Sequence, residues 1–263
     1  MKLDPRHTHL VPLGGTGEIG MNLNAYHHDG RWIVVDCGVM FEQLDAHRSQ
    51  VLYPDASFLR GQDVAALVIT HAHQDHLGAV RDLWPELRCP VVVTPFAAQM
   101  LKGPLDEAGL GGRVPLKIVG EDAAFRAGPF SVRRIPMTHS TLEMGALVLR
   151  TPSATVLHTG DWKLALVPVE GRVSDLAAVD ALGVGGGVDQ VVSDSTNAHQ
   201  PGWTPSEGSL VEPLTELVAA QTGRVAVTLF SSNVARVATF ARVAAATGRH
   251  LVLLGRSLQR TIT

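Results

Sequence analysis

Three histidines and an aspartate crowd into six residues at His71-Ala72-His73-Gln74-Asp75-His76, directly after the apolar run Ala65-Ala66-Leu67-Val68-Ile69-Thr70. No other stretch restricts the fold as strongly. An apolar run of this length predicts a buried strand, so the imidazoles arrive where a strand stops. On extended chain, residues two apart share a face, which aims His71 and His73 into one pocket. Asp75 and His76 follow where the chain turns into a helix, within reach of a neighbouring point. Neutral imidazole and carboxylate are the ligands that zinc and similar divalent ions prefer. A histidine tag would be terminal and would lack the strand.

The chain before this run carries a decoy. Gly15, Gly17 and Gly20 spell G-x-G-x-x-G after the short strand His9-Leu10-Val11-Pro12-Leu13. That dinucleotide fingerprint requires a helix next. Instead an Asp29-Gly30 turn separates two apolar runs, which predicts a hairpin. The glycines are expected to let the backbone approach a ligand or metal closely. The second hairpin strand ends at Asp36-Cys37-Gly38. Asp36 is either a turn former or the carboxylate that accepts the spare ring N–H of a ligating histidine. Residues 39–62 read as irregular.

Beyond the histidine run, residues 77–83 predict a short helix stopped by Pro85. Residues 91–93 predict a strand, and Pro95 opens a helix to about Leu101. Further strands are predicted over 114–119, 130–135, 147–149 and 155–158. His139 and Asp161 thus also fall at strand ends, where ligands collect in layered α/β folds. His71, His73 and His139 then make a three-nitrogen site. Asp75 and His76 begin a second, and Asp161 bridges the two. Such paired ions lower the pKa of water and hold a phosphoryl or carbonyl oxygen, which is hydrolytic chemistry.

The H-x-H-x-D-H run with a later His139 and Asp161, and with Asp36 at the first motif position, resembles the metallo-β-lactamase superfamily. Three further runs narrow the likeness: Leu13-Gly14-Gly15-Thr16-Gly17-Glu18-Ile19-Gly20-Met21-Asn22, Thr159-Gly160-Asp161-Trp162-Lys163 and Ser193-Asp194-Ser195-Thr196-Asn197-Ala198. These resemble the ribonuclease J family of the β-CASP branch, as do Ser232-Asn233-Val234-Ala235-Arg236 and Gly255-Arg256-Ser257. The resemblance implies an α/β fold: an incomplete metallo-β-lactamase αββα sandwich over residues 1–205, followed over 206–263 by the start of a truncated β-CASP α/β domain. A helix is expected over 207–220 with Ser206 as its cap, a strand over 224–230, a helix over 234–246 and a strand over 251–254.

The resemblance also implies two divalent ions, zinc before manganese, and RNA as partner, as a 5′-monophosphorylated single strand. The implied activity is 5′-to-3′ exonuclease and endonuclease cleavage, with Asp75, Asp161 and Asp194 in catalytic roles. Relatives of this family supply two later histidines that cannot be assigned here, so impaired activity is expected of this chain. His158, His199 and His250 are the late candidates in this sequence; His158 reads as a packed residue, and His199 lies in a loop where the family has no ligand. Ser231, Ser232, Asn233 and Arg236 are expected to meet RNA phosphates at a helix start, with plain capping as the alternative. Two other classes compete: a stand-alone hydrolase of a thioester or lactone, and a non-catalytic RNA-binding module.

Composition is permissive. A net charge of −3 and an 18% charged fraction advertise neither disorder nor an anionic surface as partner. Cys37 and Cys89, both in apolar sequence, fit a reducing compartment. The start, Met1-Lys2-Leu3-Asp4-Pro5-Arg6, resembles no signal peptide, and no run is long enough to span a membrane. A cytoplasmic protein is expected; the relatives' C-terminal assembly region has no counterpart here, so oligomeric state is not readable.

Overall fold

The chain opens as a meander. In the computed structural model, which describes residues 3–262, β1 (His9–Gly14), β2 (Leu23–His28) and β3 (Arg31–Val35) pair antiparallel. Met1 and Lys2, where the reading of the N-terminus begins, and Thr263 lie outside the described residues. Asp29 and Gly30 both take positive φ, 47° and 74°, the geometry of a type I′ turn between twisted strands. No helix follows the glycine-rich segment, which loops directly into β2.

Residues 39–62, expected to be irregular, instead contain β4 (Met40–Gln43) and β5 (Ser49–Leu52), a separate antiparallel hairpin. It is largely exposed, so no core-facing alternation betrays it in the sequence. β6 (Val64–Val68) then joins β3 in parallel, and α1 (Gln74–Leu77) and α2 (Val80–Leu87) follow. Pro85 does not stop α2 but sits inside it, two residues before the end, and Arg88 closes the helix in the left-handed region. A proline so near a C-terminus disturbs little of the remaining ladder. β7 (Val91–Val93), α3 (Pro95–Glu107) and β8 (Leu116–Ile118) complete a six-stranded sheet of order β1-β2-β3-β6-β7-β8. α3 runs past Leu101 through Gly103 and Pro104, because Ala97, Met100, Leu101 and Leu105 form one buried stripe that holds it to the core.

β9 (Ala124–Ala127), β10 (Phe130–Pro136), β11 (Gly145–Arg150) and β12 (Thr155–His158) build a second sheet, joined after α4 (Leu176–Val184) by β13 (Gln190–Val192). Three apolar clusters define the layers. Val34, Leu67 and Val91 face α2 and α3; Ile33, Val35, Val68, Phe130 and Leu147 meet between the sheets; Ala146, Val148 and Leu157 pack on α4. The result is an αββα sandwich. With both faces of each sheet covered, the central strands read as unbroken apolar runs.

Beyond the sandwich, a 3-10 turn leads into α5 (Val211–Ala219), then α6 (Val234–Ala246) and α7 (Arg256–Ile262). The strands expected over 224–230 and 251–254 do not form. Both segments run without ladder partners among the described residues, and Val225, Val227, Phe230, Val252 and Leu254 are exposed. A strand exists only through its neighbour, and here none lies alongside. Ser206 precedes the 3-10 turn, but its side chain does not cap it; its Oγ accepts from the Val167 amide instead.

β3 and β6 are parallel, and β10 and β12 share a direction because each is antiparallel to β11. The carboxyl ends of β3, β6, β10, β12 and β13 therefore gather at one edge. The backbone there is tightly strapped: Cys37 N donates to His76 O (2.7 Å), Val39 N to Gln74 O (3.0 Å) and Asn22 N to Asp75 O (3.0 Å). Gly38 lies in this strap, where an added Cβ would meet Asp75 O at 1.6 Å. Gly38→Ala is expected to lower the thermal midpoint by the equivalent of about 1–3 kcal/mol. Gly103→Ala, which meets open space in α3, should be neutral or stabilise by about 0.5–1 kcal/mol; scanning calorimetry of both variants checks the contrast.

Candidate metal centre

β6 ends at Val68, so His71 and His73 lie in the loop beyond the strand and not, as expected, on its one face. They converge because the loop curls into α1, with His73 at its N-cap. Asp75 and His76 belong to α1, His139 follows β10 and Asp161 follows β12. His71 Nε2 and His139 Nε2 each lie 3.1 Å from His73 Nδ1, and Asp161 Oδ2 is 3.5 Å from His139 Nε2 and 3.9 Å from His71 Nε2. The other Asp161 oxygen, Oδ1, is 3.2 Å from His76 Nε2, which is 3.4 Å from Asp75 Oδ2. One carboxylate thus faces two donor sets: His71, His73, His139 and Asp161, and Asp75, His76 and Asp161.

The donor set tests whether a metal fits. The Thr70 hydroxyl donates to Asp36 (2.8 Å to Oδ2), so at 3.0 Å it must accept from His71 Nδ1–H, which leaves the His71 Nε2 lone pair free. His73 Nε2–H donates to Ser232 O (3.3 Å), which leaves its Nδ1 free. Two nitrogen lone pairs then face one another at 3.1 Å with no proton between them, a contact that a cation satisfies. Tetrahedral donors about 2.0–2.1 Å from zinc are about 3.3–3.4 Å apart, and the observed separations of 3.1–3.9 Å bracket that. The residues fit a divalent ion.

Electrostatics agree. Burial, reinforced by neighbouring imidazoles, depresses the His71 pKa well below its ordinary value and brings His139 to about 4. Burial opposes ionisation of Asp161, yet its hydrogen bond from His76 and the surrounding imidazoles outweigh this and hold it at about 2. Neutral imidazoles beside ionised carboxylates are the state from which metals bind. His76 is the exception. Burial disfavours its charge, but Asp36, Asp161 and Asp75 raise its pKa well above the ordinary value.

Asp36 lies beneath the centre, fully buried at φ 62°. Its Oδ2 accepts His76 Nδ1–H (2.7 Å) and its Oδ1 the Thr70 amide (2.8 Å), so it orients both histidines, one of them through Thr70. Sequence reasoning missed two further contributors. Asn22 Nδ2 donates to Asp75 O (3.0 Å), and the buried Arg134 reaches from β10 to donate to Ile69 O (3.0 Å), Thr70 O (3.0 Å) and Glu143 O (2.9 Å). Strand alternation from the buried Phe130 and Val132 puts Arg134, and not Arg133, on the inner face, which is the signal the sequence offered. β10 places both Val132 and Ile135 in packed layers, on opposite faces.

Asp194 follows β13 and lines the cavities on both sides of Asp161, with its Oδ1 held by the Thr196 amide and hydroxyl. His158 is buried against the Tyr26 hydroxyl (2.8 Å), while His199 and His250 are exposed and outside both donor sets. Asn233 caps α6 by accepting the Arg236 amide (2.9 Å). The Arg236 guanidinium pairs with Glu207, 2.5 Å from Nε to Oε1, and lines the same cavity as His139 and Asp161. Ser231 and Ser232 line a cavity with Ala72 and Gln74.

Residues 23–216 match the metallo-beta-lactamase superfamily, and residues 222–263 match the beta-CASP domain of ribonuclease J. Ribonuclease J of Sinorhizobium meliloti is 43% identical over 260 residues, 96% of this chain and 46% of that protein. That of Mycolicibacterium smegmatis is 37% identical over 265 residues, 99% of this chain and 47% of that protein; that of Helicobacter pylori strain 26695 is 35% identical over 96% of this chain and 37% of that protein. The chain spans about half or less of the length of these curated relatives. Among solved structures, a protein of unknown function from Enterococcus faecalis V583 superimposes with a TM-score of 0.63 at 19% identity, covering 91% of this chain and 66% of that one, which is a likeness of fold.

Asp36→Asn is expected to weaken divalent-ion binding roughly 10- to 100-fold with the fold retained, as read by competition with a chromophoric chelator. Arg134→Met should lower the urea midpoint by the equivalent of about 2–3 kcal/mol, because Ile69 O and Glu143 O lose their donor and Thr70 O keeps only the Gly145 amide.

Proposed function

The chain belongs to the metallo-β-lactamase superfamily, and from that premise we propose that it is the N-terminal part of a metal-dependent ribonuclease of the ribonuclease J type. One observation carries the reading: Asp161 turns one oxygen toward His71 and His139 and the other toward His76, the arrangement of a two-ion hydrolytic centre. The ions assigned to it are zinc, with manganese as the substitute, because the first donor set is rich in nitrogen. When bound, such a pair supplies Lewis acidity, lowering the pKa of water toward about 7 and polarising a phosphoryl oxygen.

The reaction is phosphodiester hydrolysis: a water oxygen attacks phosphorus and the ribose 3′-oxygen departs. His71, His73, His139 and Asp161 hold one side of the reacting centre, and Asp75, His76 and Asp161 the other. Asp36 and Thr70 keep the ring protons on the far nitrogens. Asp194, with its carboxylate beside Asp161, is assigned to hold a proton-carrying group at the leaving oxygen. Lys163, half-buried in the cavity shared with His139 and Asp161, supplies a cation for a phosphate, and Ser231 and Ser232 supply hydroxyls along the same edge. Asn233 and Arg236, at the start of α6 in the same cavity, are assigned as further donors to an RNA phosphate, the Arg236 guanidinium being steadied by Glu207.

The partner assigned is single-stranded RNA with a 5′-monophosphate. We draw the division between the metallo-β-lactamase part and the β-CASP part near residue 205, with the His73–Ser232 contact joining them. No described helix is long and apolar enough to cross a membrane. Cys37 and Cys89 are buried free thiols, which fits the reducing cytoplasm assigned here.

The purified chain, supplied with zinc or manganese, is expected to cleave 5′-monophosphorylated RNA, more slowly than the longer relatives, and Asp161→Ala should bring cleavage to background. Hydrolysis of a thioester or lactone with RNA untouched would overturn the reading in favour of a small-ester hydrolase.

A further inference from the structure

The chain has four tryptophans, and they divide sharply by surroundings. Trp32 is 2% exposed and packs between His27 and Phe58, with ring centroids 4.9 and 5.2 Å away. Trp84 is buried and donates its indole N–H to Cys89 O at 2.8 Å. Trp162 is 37% exposed. Among the described residues no ring stacks on it and no acceptor meets its N–H. A large flat apolar ring left open next to a bridging carboxylate is poorly explained as packing, since burying it would stabilise the fold.

Its setting points to an occupant. Trp162 lines a cavity of about 280 Å³ with His139, Asp161, Lys163, Asp194 and Asn233. The backbone on its far side is pinned, because Lys163 N donates to Thr138 O at 2.9 Å and the two residues form a β-bridge. The ring is therefore carried on a rigid segment, one residue from Asp161 on one side and one from a cation on the other. This wall is mixed in polarity, unlike an apolar docking face. A nucleotide combines an anion with a flat π-face one ribose away, and matches carboxylate-held metal, cation and indole together. Stacking on an aromatic ring is also tolerant of base identity.

Resting on the nuclease reading above, we propose that Trp162 is a base-stacking platform for the nucleotide adjoining the metal centre. The test is equilibrium binding on ice, without added divalent ions, of a short 5′-phosphorylated oligoadenylate and of an abasic ribose-phosphate oligomer of equal length. Tryptophan fluorescence and the anisotropy of a 3′-label are read together. The base-bearing strand should quench fluorescence and bind roughly 5-fold or more tightly than the abasic one. Trp162→Phe, which keeps a ring, should retain most of that preference. Trp162→Leu, which keeps bulk without a π-face, should lose it. Trp203→Ala, which removes an 84% exposed indole outside this cavity, should change nothing. Equal binding of base-bearing and abasic strands by the unsubstituted protein overturns the proposal without relying on any variant, as does an undiminished preference in Trp162→Leu or a loss in Trp203→Ala. Failure of both oligomers to bind would overturn the RNA reading itself, a separate outcome.

Discussion

The buried carboxylate of Asp36 is the contact on which the rest of the site depends. It is fully buried and accepts from the Thr70 amide and hydroxyl and from His76 Nδ1. An ionised carboxylate away from water is tolerable only when its lone pairs are met in this way. The cost of leaving it unmet ties the ends of β3 and β6 and the first turn of α1 to one another. Asp36 itself sits in left-handed backbone, at φ 62°. Because Thr70 spends its single hydroxyl hydrogen on Asp36, its oxygen must accept from His71. One buried charge thereby decides which nitrogen each of two histidines presents.

Arg134 answers from the other sheet. Its guanidinium rises from β10 and grips the carbonyls of Ile69 and Thr70, so Thr70 is held by a carboxylate on one side and a cation on the other. Burial lowers the Arg134 pKa to about 10, still well above neutrality, so the cation persists. Gly145, opposite on β11, leaves room for it; a Cβ there would lie 2.8 Å from Nη2. This clamp joins the sheet that carries His71, His73, Asp75 and His76 to the sheet that carries His139 and Asp161. With the Gly145 amide to Thr70 O (3.3 Å) and the Tyr26 hydroxyl to His158 (2.8 Å), it adds directional contacts to apolar packing, which is non-directional.

Legibility in the sequence followed the range of the interaction. The Asp29-Gly30 hairpin, the strand ahead of His71 and the helix after Asn233 each express local periodicity or turn chemistry, and each stands in the structure. The hairpin of β4 and β5 was invisible because both strands are exposed, and the segments 224–230 and 251–254 were misread because an apolar run without a paired neighbour is not a strand. Pro85 does not break α2, since it lies in its last turn, where few ladder bonds remain to be lost. The pairing of Arg236 with Glu207, 29 residues earlier, is a contact that no local spacing announces. Trp162 passed as one letter within a motif until its surroundings set it apart from the two core tryptophans.

By itself the sequence determined the chemical types and order of the candidate ligands, their placement at strand ends, and the buried strands that lead into them, since burial and turns are written in spacings of a few residues. The tertiary structure alone decided which atom of each ligand faces the centre, that Asp161 divides its two oxygens between the two donor sets, and that Arg134 reaches the carbonyls of Ile69, Thr70 and Glu143. His73 and His139 stand 66 residues apart and meet at 3.1 Å. No local spacing encodes that distance, because it is set by two sheets packing face to face.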